Sequence, residues 1–528
     1  MLKNSGIELR KCASLMRDGV VSWCMRPAFK WLLDVRASIR FRPIDRQTDQ
    51  STENSMFRFF HYRQQGIRLL WFSLVLLVAT LGGSQAEQVS AEPLAPVTYD
   101  DNAVPPVAYT GAWTFSNSST NAMSSTLHWS NVVGNKATLS FNGSTISLFY
   151  SMAYNRGGHA VYIDGQLKGA YGSYTPEIRR QVGKTWSVSP GNHTIEVVVN
   201  GGGFTDVDAF AIDIATVGEG VYDNGHSHIR YFGSWTDSSC TPGTYNNSLK
   251  ISNTPQSGFR FTFTGDEITY IYSMHSNRGR AAITIDGNDY GYIDQYSPDL
   301  RRQIGKTFSG LGPGVHILNV VVSGDKNASS SDYYVDLDAL VVGNVYNRTA
   351  AVSYADTWAH GRNGNYPNYG NPNDSPCNDC TNYVSQVLEA GGMPQIAHVS
   401  YNNDYYWYTY YIFGWSASDT WKVTSPNGPS DTIASFKKHV DTFTWRYQQV
   451  SSVNNLVQGD FFLVDTNDNF HNGPDHASVI VGWGIVQEGD QIGQYRLLRN
   501  AHCNDRYRVR WDYGFEPSEP KWYYHVIY

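Results

Sequence analysis

The chain contains one domain-sized segment twice, and this repeat limits the fold more than any other feature. Equivalent residues are Trp113 and Trp235, Arg156 and Arg278, Asp164 and Asp286, and Arg179 and Arg301. Each pair is 122 residues apart (235 − 113), and the separation grows to 123 at His193 and His316 and to 130 at Asp208 and Asp338. Short insertions of this kind belong in surface loops. The repeat therefore predicts two copies of one domain, at 97–218 and 221–343.

Apolar and polar residues alternate through each copy, as they do in strands with one buried face. In the first copy the alternating stretches are LSFNGSTISLFYSM, HAVYIDGQLKGAY and HTIEVVVN. Asp-Gly and Pro-Gly pairs separate them, which is typical of tight turns between antiparallel strands. About 120 residues of this pattern predict an antiparallel β-sandwich with the topology of a jelly roll.

The first 86 residues have the features of a leader for export. Leu69–Leu81 is an apolar run of the length of a signal-peptide core, it follows three arginines, and small residues lead to Ala86. Met56 lies where a signal peptide would begin, so 1–55 is either a mis-annotated start or a cytoplasmic extension. The pattern predicts a secreted or cell-surface protein, and an uncleaved signal anchor is the alternative.

Charge and cysteine content restrict what the exported part can bind. The whole chain has a net charge of −7, and the leader holds 13 basic and 6 acidic residues, so the rest carries −14. An acidic chain without a basic cluster argues against a nucleic-acid partner. Four cysteines remain after the leader, too few for a disulfide scaffold. A disulfide between Cys377 and Cys503 is predicted, with Cys240 as an alternative partner of either.

A cysteine at the start of a helix makes 346–528 the candidate catalytic domain. Asp379 and Cys380 precede an apolar-periodic stretch that ends at Gly391, and His476 later opens a β-rich run. Unpaired N–H groups and the helix dipole stabilise a thiolate, and a nearby imidazole can hold it as an ion pair. The pattern predicts Cys380 as nucleophile and His476 as base.

Several alternatives remain for the other polar residues of this domain. The third catalytic residue is predicted to be His502, with Asn500 or Asp505 as alternatives. Cys377 and Cys380 could instead bind zinc together with the two histidines, or form a redox pair. Asp379 and Asn382 are predicted to shape the site and contact substrate, although helix capping explains Asp379 equally well. The aromatic run 405–411 could line a groove or pack in the core.

Both parts of the chain resemble known families. Residues 97–218 and 221–343 resemble the galactose-binding-like jelly rolls of secreted bacterial enzymes, through Gly-x-Trp, Asn-Arg-Gly, Ile-Asp-Gly and Asp-x-Asp-Ala. Residues 346–528 resemble the amidase domain family of secreted bacterial proteins, through Asp-Cys-Thr-Asn, Gly459-Asp460, Asp-His-Ala-Ser and Ala501-His502. The order of cysteine, histidine and a further polar residue, with the helix before the sheet, is similar to that of papain-like hydrolases. The resemblance implies an α+β domain of this type.

These resemblances imply a hydrolase that acts on an amide or peptide bond of a cell-wall polymer, peptidoglycan first among them. The modules would bind carbohydrate through exposed aromatic residues, with Arg156 and Arg278 as hydrogen-bond donors. These aromatic residues include Trp113, Tyr154, Tyr174, Trp235 and Tyr296. Calcium held by the paired acids at 206, 208, 336 and 338 is an alternative role for those residues. No cofactor, catalytic metal or obligate protein partner is expected. The alternative function is a non-catalytic, glycan-binding adhesin whose amidase domain has degenerated.

Overall fold

The structure is a computed structural model that describes residues 97–103, 107–239, 241–369, 379–397, 401–411, 415–425, 434–466 and 473–528. The predicted leader at 1–86 lies outside these ranges, as do Cys240 and Cys377. All described residues belong to one compact unit, Ala95–Tyr528. Within them, no helix has the length and apolar character needed to cross a membrane.

The first repeat folds into antiparallel strands. Its described strands are β1 (Val97–Asp100), β2 (Val107–Thr110), β3 (Thr114–Ser116), β4 (Leu127–Ser130), β5 (Lys136–Met152), β6 (Gly158–Ile163), β7 (Gln166–Gly172), β8 (Arg179–Gly201), β9 (Thr205–Val207) and β10 (Ala209–Ile212). One sheet has the order β1-β10-β5-β8-β6-β7, with β2 on β5, and a smaller sheet has the order β3-β4-β9. We call this domain module 1.

The second repeat, module 2, has the same plan with the long strands divided. Its strands are β11 (Gly220–Asp223), β12 (Ile229–Phe232), β13 (Thr236–Ser239), β14 (Ser248–Ser252), β15 (Gly258–Thr264), β16 (Ile268–Met274), β17 (Gly279–Ile285), β18 (Asn288–Asp294), β19 (Arg301–Phe308), β20 (Val315–Lys326), β21 (Val335–Leu337) and β22 (Ala339–Val342). They form sheets of order β11-β22-β16-β19, β12-β15-β20-β17-β18 and β13-β14-β21. Strands β15 and β16 together correspond to β5, and β19 and β20 to β8.

The alternation seen in the sequence becomes the core of each module. In module 2, Phe259 and Phe261 of one sheet and Ile268 and Tyr270 of another are completely buried in one cluster. In module 1 the two halves of β5 contribute Leu139 and Leu148 to a single core in the same way. Because successive residues of a strand point to opposite faces, each strand presents one apolar face to this interior. The prediction of β-rich, antiparallel domains is confirmed.

The C-terminal domain adds helices to an antiparallel sheet. The helices are α1 (Arg348–Trp358), α2 (Cys380–Ala390), α3 (Asp419–Lys422) and α4 (Phe436–Thr442). The strands are β23 (Thr409–Tyr411), β24 (Trp415–Ala417), β25 (Tyr447–Val450), β26 (Phe461–Val464), β27 (His476–Ile485), β28 (Tyr495–Ala501), β29 (Arg506–Arg510) and β30 (Lys521–Val526). Six strands form a sheet of order β25-β30-β26-β27-β28-β29, and α2 packs on β27 and β28. The papain-like type of this domain stays a prediction.

Candidate active site

Helix α2 brings Cys380 to the sheet. Its apolar residues Tyr383, Val384, Val387 and Leu388 recur at helical spacing and are buried. The helix ends at Gly391 and Gly392, where the positive φ of Gly392 (98°) suits a residue without a Cβ. These features fix the register of the helix, so its first residue, Cys380, faces the start of β27.

The sulfur of Cys380 lies in a small polar pocket at the helix start. Sγ is 3.7 Å from the hydroxyl of Thr424, 3.8 Å from that of Thr381 and 3.9 Å from the carbonyl oxygen of Asp475. The two threonine hydroxyls are also hydrogen-bonded to each other. Cys380 is only 3% exposed. The thiol is therefore adjacent to the backbone on the N-terminal side of His476.

Burial favours the neutral forms of both Cys380 and His476. Burial raises the pKa of the thiol, while hydrogen bonds from the Thr424 hydroxyl and the Ala477 amide act in the opposite direction. Burial, and then the charges of Arg499 and Arg506, lower the pKa of the imidazole to about 3. A neutral thiol beside a neutral imidazole differs from the thiolate–imidazolium pair that the sequence predicted. An uncharged imidazole can nevertheless accept a proton.

His476 opens β27, as predicted, but its ring is not bonded to the thiol. The residue pairs with Val464 across the sheet, and its ring centroid is 5.9 Å from that of Phe515. Among the described residues, the imidazole has no hydrogen-bond partner. The structure thus brings Cys380 to the backbone around His476 without joining the two side chains.

His502 is held by residues other than His476. Its Nδ1 is 2.7 Å from a carboxylate oxygen of Asp379, and its Nε2 is 2.7 Å from the carbonyl oxygen of Trp358. Both partners are acceptors, so both ring nitrogens are satisfied when each carries a hydrogen. The ring also stacks on Tyr383 at 4.0 Å between centroids. Neither ring nitrogen of His502, the predicted third catalytic residue, is bonded to His476.

Asp379 is the centre of a buried charged cluster. The guanidinium of Arg362 forms an ion pair with the same carboxylate oxygen at 2.6 Å, and Asn382 donates to the other oxygen at 2.8 Å. The carboxylate makes no capping hydrogen bond to the helix. The capping alternative therefore does not describe Asp379. Its role in this structure is to tie the residue before Cys380 to His502 and Arg362.

The two alternatives for a third catalytic residue have other partners. Asn500 donates to Asp356 at 2.9 Å and accepts from the amide of Arg508 at 2.6 Å. Asp505 pairs with Arg362 at 3.0 Å. Neither residue is bonded to His476 within the described part of the chain. Asp505 is joined to the Asp379 cluster through Arg362, whereas Asn500 joins β28 to α1 and β29.

The aromatic residues near the site are mainly core residues. The indole of Trp421 donates to the side-chain oxygen of Asn382 at 2.8 Å, and its ring lies 4.7 Å from that of Trp407. Tyr406, Trp407 and Tyr408 are at most 3% exposed. For these residues the core-packing interpretation of the aromatic run is the one that the structure supports. Asn382 is likewise 1% exposed and held on both sides.

In the modules, the arginines predicted to contact sugar are paired with buried acids. Arg278 forms an ion pair with Asp336 at 2.7 Å, and Arg156 occupies the same position beside Asp206. The carboxylate of Asp336 also accepts from the amide of Ser273 at 2.7 Å. One acid of each pair named in the calcium alternative thus has an arginine as its partner. These two ion pairs tie a loop of each module to its last strands.

The two tryptophans predicted to bind sugar pack against the module cores. Trp113 contacts the core of module 1, and Trp235 contacts that of module 2. Each indole donates to a backbone carbonyl three residues earlier, that of Thr110 and that of Phe232. Both side chains are only partly exposed, so each offers a limited surface to a sugar ring.

Two exposed tyrosines of module 1 form a better aromatic surface. Tyr154 and Tyr174 are 64% and 66% exposed. Their loops are joined because the amide of Ala153 donates to the carbonyl of Ser173 at 3.0 Å. Module 2 has Ser276 and Tyr296 at the equivalent positions. Aromatic rings with one wet face suit contacts with sugars, and only module 1 has two of them here.

Sequence reasoning missed Thr424. The residue follows α3, is 6% exposed and hydrogen-bonds Thr381 while it contacts the sulfur. Thr424 is 44 positions from the cysteine, and no local sequence pattern indicates that its hydroxyl contacts the sulfur. The preceding Trp421, which packs on Asn382, is the sole hint that this segment returns to the helix start.

The structure describes two of the four cysteines that follow the predicted leader. Cys380 is the free cysteine of the described residues, and Cys503 is disulfide-bonded. The predicted partner, Cys377, and the alternative, Cys240, lie outside the described residues. Within the described ranges, no three His, Cys, Asp or Glu side chains are grouped to hold a metal ion.

Sequence comparison assigns a class to the domain that carries this site. Residues 345–527 match a family described as "Putative amidase domain". An uncharacterized protein, YhbB of Bacillus subtilis (strain 168), is 24% identical over 188 residues, which are 34% of this chain and 50% of that protein. The C-terminal domain is thus of the amidase type, as the motifs predicted.

Other similarities involve proteins that act on or bind carbohydrate. The A type blood alpha-D-galactosamine galactosaminidase of Flavonifractor plautii is 25% identical over 256 residues, 47% of this chain and 23% of that protein. A family 35 carbohydrate-binding module from Clostridium thermocellum is 14% identical over 23% of this chain and 99% of its own, with a TM-score of 0.18. A Paenibacillus xanthan lyase is 18% identical over 50% of this chain and 28% of its own, with a TM-score of 0.21. The chain spans half or less of the length of the curated relatives it matches.

Proposed function

We propose that the protein is an exported hydrolase that cleaves an amide or peptide bond of a cell-wall polymer, with Cys380 as nucleophile and His476 as base. One observation carries this proposal. The thiol lies at the start of α2, 3.9 Å from the carbonyl oxygen of the residue before His476, inside a domain of the amidase type. A thiol, a helix N-terminus and a histidine on the adjacent strand are the groups that thiol-dependent acyl transfer needs.

The proposed reaction begins with a neutral pair. The imidazole of His476 takes the proton of the thiol as sulfur attacks the carbonyl carbon, and then returns it to the leaving amine. The amide N–H groups at the start of α2 stabilise the oxyanion. Water hydrolyses the resulting thioester. Because the imidazole and thiol are not hydrogen-bonded in this structure, the proposal requires His476 to turn toward the sulfur when substrate binds, as often happens in substrate-free enzymes.

The remaining parts of the protein would bring this domain to its substrate. The leader would export the chain, and module 1 would bind a glycan through Tyr154 and Tyr174. Peptidoglycan is the substrate that best combines a glycan with amide bonds, either in its peptide cross-links or between peptide and sugar. Export, the similarity to a glycan-acting enzyme and the exposed tyrosines support this choice.

Point variants and purified peptidoglycan test the reaction. Cys380→Ala is expected to abolish the release of soluble fragments without loss of thermal stability, and Cys380→Ser to be nearly inactive because a hydroxyl is far less acidic. His476→Ala should lose several orders of magnitude in turnover. His360→Ala is the matched control, since this histidine is exposed and pairs with Glu488. Mass spectrometry of the fragments would identify the bond.

The test also separates this mechanism from zinc catalysis. Activity should survive EDTA, because the proposed reaction uses the thiol and imidazole directly. Full activity of Cys380→Ala, or loss with EDTA that added zinc restores, would overturn the proposal.

A specific observation favours the second candidate, a glycan-binding adhesin with an inactive amidase domain. Cys380 is 3% exposed, and its thiol has no bond to His476. For an adhesin, binding to cell walls should be intact while no amide bond is cleaved under any condition. Covalent labelling of the wild-type thiol by a substrate-derived acylating probe, blocked by intact peptidoglycan, would exclude it.

A further inference from the structure

The Arg-Arg-Gln segment that occurs in both repeats lies at a domain boundary each time. In module 1 it begins β8, and in module 2 it begins β19. The side chain of Gln181 donates to the carbonyl of Asn121, and that of Gln303 donates to the carbonyl of Gly243, at 3.1 and 3.2 Å. Asn121 and Gly243 are themselves 122 residues apart. Both copies therefore hold this segment in the same way.

At the first boundary the segment contacts module 2. Arg179 donates to the carboxylate of Asp289 at 2.6 Å and to the carbonyl of Ile283 at 3.2 Å. The side chain of Asn319 donates to the carbonyl of Gln181 at 3.1 Å. A Cβ built on Gly183 would come within 2.8 Å of Ile317. The arginine is completely buried in this contact.

At the second boundary the equivalent residues contact the C-terminal domain. The guanidinium of Arg301 lies 4.5 Å above the ring of Tyr405. The indole of Trp445 donates to the carbonyl of Gln303 at 3.1 Å, and the side chain of Arg446 donates to the side-chain oxygen of the same glutamine. A Cβ built on Gly305 would come within 2.5 Å of the Trp445 ring. Arginine, glutamine carbonyl and glycine thus have matching roles at both boundaries.

The surface of module 2 that receives module 1 contains an isoleucine, Ile317, where the same surface of module 1 has a threonine. Ile317 is buried in a cluster with Phe149, Ala209 and Ala211 of module 1, and the guanidinium of Arg260 lies 4.1 Å above Phe149. The two copies can be aligned by register, because Arg260 pairs with Asn319 as Thr138 pairs with Glu196.

The equivalent surface of module 1 has no apolar residue at these positions. Thr138, Thr194 and Glu196 replace Arg260, Ile317 and Asn319. Glu196 forms a partly exposed ion pair with Lys136 at 3.0 Å. The copies therefore differ where one of them receives a neighbouring domain.

We propose that the strand bearing Arg-x-Gln-x-Gly is a docking strand, by which each module fixes the domain that follows it. The partner it fits presents an acceptor or aromatic ring to the arginine, a donor to the glutamine carbonyl and an apolar side chain over the glycine. Modules 1 and 2 and the C-terminal domain then move as one body. A glycan bound to module 1 is held at a constant distance from Cys380, whatever reaction the C-terminal domain performs.

Single-molecule energy transfer in the intact protein tests this proposal at each boundary separately. Dyes on unnatural amino acids at positions 133 and 329 report the first boundary, and dyes at 329 and 492 report the second. The wild-type protein is expected to give one narrow distance distribution for each pair. Arg179→Ala should broaden the 133–329 distribution alone, and Arg301→Ala the 329–492 distribution alone, so each variant is the control of the other.

Gly305→Val is a second variant that changes the contact without removing a charge. The added side chain would meet the ring of Trp445 in the neighbouring domain, and valine is well tolerated in strands. Gly225→Val is its matched control, since a Cβ there meets nothing within 4 Å. Gly305→Val should broaden the 329–492 distribution and Gly225→Val should not. Broad wild-type distributions, or a 329–492 distribution that stays narrow in both Arg301→Ala and Gly305→Val, would overturn the proposal.

Discussion

The carboxylate of Asp379 lies 2.7 Å from Nδ1 of His502, although 123 residues separate them in the chain. This contact joins the residue before the candidate nucleophile to the far end of β28. Because Arg362 pairs with the same carboxylate and Trp358 accepts from the other ring nitrogen, the helix start is fixed from three directions. His502 thus acts on the position of Cys380 in this structure and has no contact with His476 that would orient its ring.

Asp379→Asn is expected to destabilise the C-terminal domain by about 3 kcal/mol, because removing one partner of a buried ion pair leaves the other charges uncompensated. Turnover should also fall, since the start of α2 would no longer be fixed. Urea unfolding followed by tryptophan fluorescence measures the change. Asp505→Asn removes the more exposed acidic partner of Arg362 and should cost less, because Asp379 still neutralises the guanidinium. Equal effects of the two variants would contradict this account of the cluster.

The Cys380 thiol should react as a thiol of raised pKa whose acidity depends on Thr424. Since burial raises its pKa, the thiolate appears only as the pH becomes alkaline, and the rate of iodoacetamide labelling should still be rising above pH 8. Thr424→Val removes a hydroxyl that lowers this pKa, so its profile should shift further to alkaline pH, and Thr424→Ser should restore it. Peptide mass mapping of Cys380 measures the rates. A plateau near pH 6 would instead indicate the thiolate–imidazolium pair.

Tyr154 and Tyr174 should carry the glycan binding of module 1. Replacement of both by alanine is expected to weaken binding to insoluble cell walls about tenfold or more, because each stacked ring contributes on the order of 1 kcal/mol. Co-sedimentation with purified walls measures this. Tyr290→Ala is the control, since this tyrosine is 44% exposed but packs edge-on against Phe308. Cleavage of a small soluble amide should be unchanged, and equal loss on both substrates would count against a targeting role.

Asp208 and Asp338 should make the modules less stable as the pH rises. Burial raises the pKa of Asp208 to about 8 and that of Asp338 well above its usual value. One carboxylate oxygen of each has no hydrogen-bond partner among the described residues. The unfolded chain loses these protons near pH 4 and the folded chain retains them, so folding becomes less favourable from about pH 4 up to pH 8 for Asp208.

In the Asp208→Asn variant the melting temperature is therefore expected to fall less as the pH rises over this range. Differential scanning calorimetry measures this change. Asp213→Asn should instead lower the melting temperature above the unfolded pKa of this residue. Hydrogen bonds donated by Ser144 and Thr145 outweigh burial and lower the pKa of Asp213. Its carboxylate contributes stability above the unfolded pKa, and the asparagine variant lacks that contribution. Identical pH profiles for wild type and Asp208→Asn would show that this carboxyl is not held neutral.

Much of the site was predictable at the level of elements and little of it at the level of contacts. The Asp-Cys-Thr-Asn start of α2 and the strand at His476 were predicted because both are local patterns of polarity and period. The partners of Asp379 come from 362, 382 and 502, and Thr424 reaches the sulfur from another segment. Such contacts depend on the path by which a loop packs back against the helix. A local sequence pattern does not determine that path.

In the modules, the arginines predicted to contact sugar have acidic partners in the structure, and their contact with sugar stays a prediction. The sequence predicted Arg156 and Arg278 as hydrogen-bond donors to sugar, and arginines are mostly found at surfaces. The structure pairs them with Asp206 and Asp336, and burial of these acids makes the ion pairs necessary. Tyr154 and Tyr174 stayed exposed instead, because their loops lie beyond the edge of the core.

The sequence by itself determined the two copies, the antiparallel strands within them and the amidase-type domain that follows, because each depends on a repeat, a period or a motif in the order of residues. Only the tertiary structure decided that the repeated Arg-Arg-Gln segment lies between domains, that Asp379 binds His502, and that the ring of His476 is not bonded to the thiol. These facts depend on burial, which determines the partner and the charge of a polar group, and burial is a property of the folded chain.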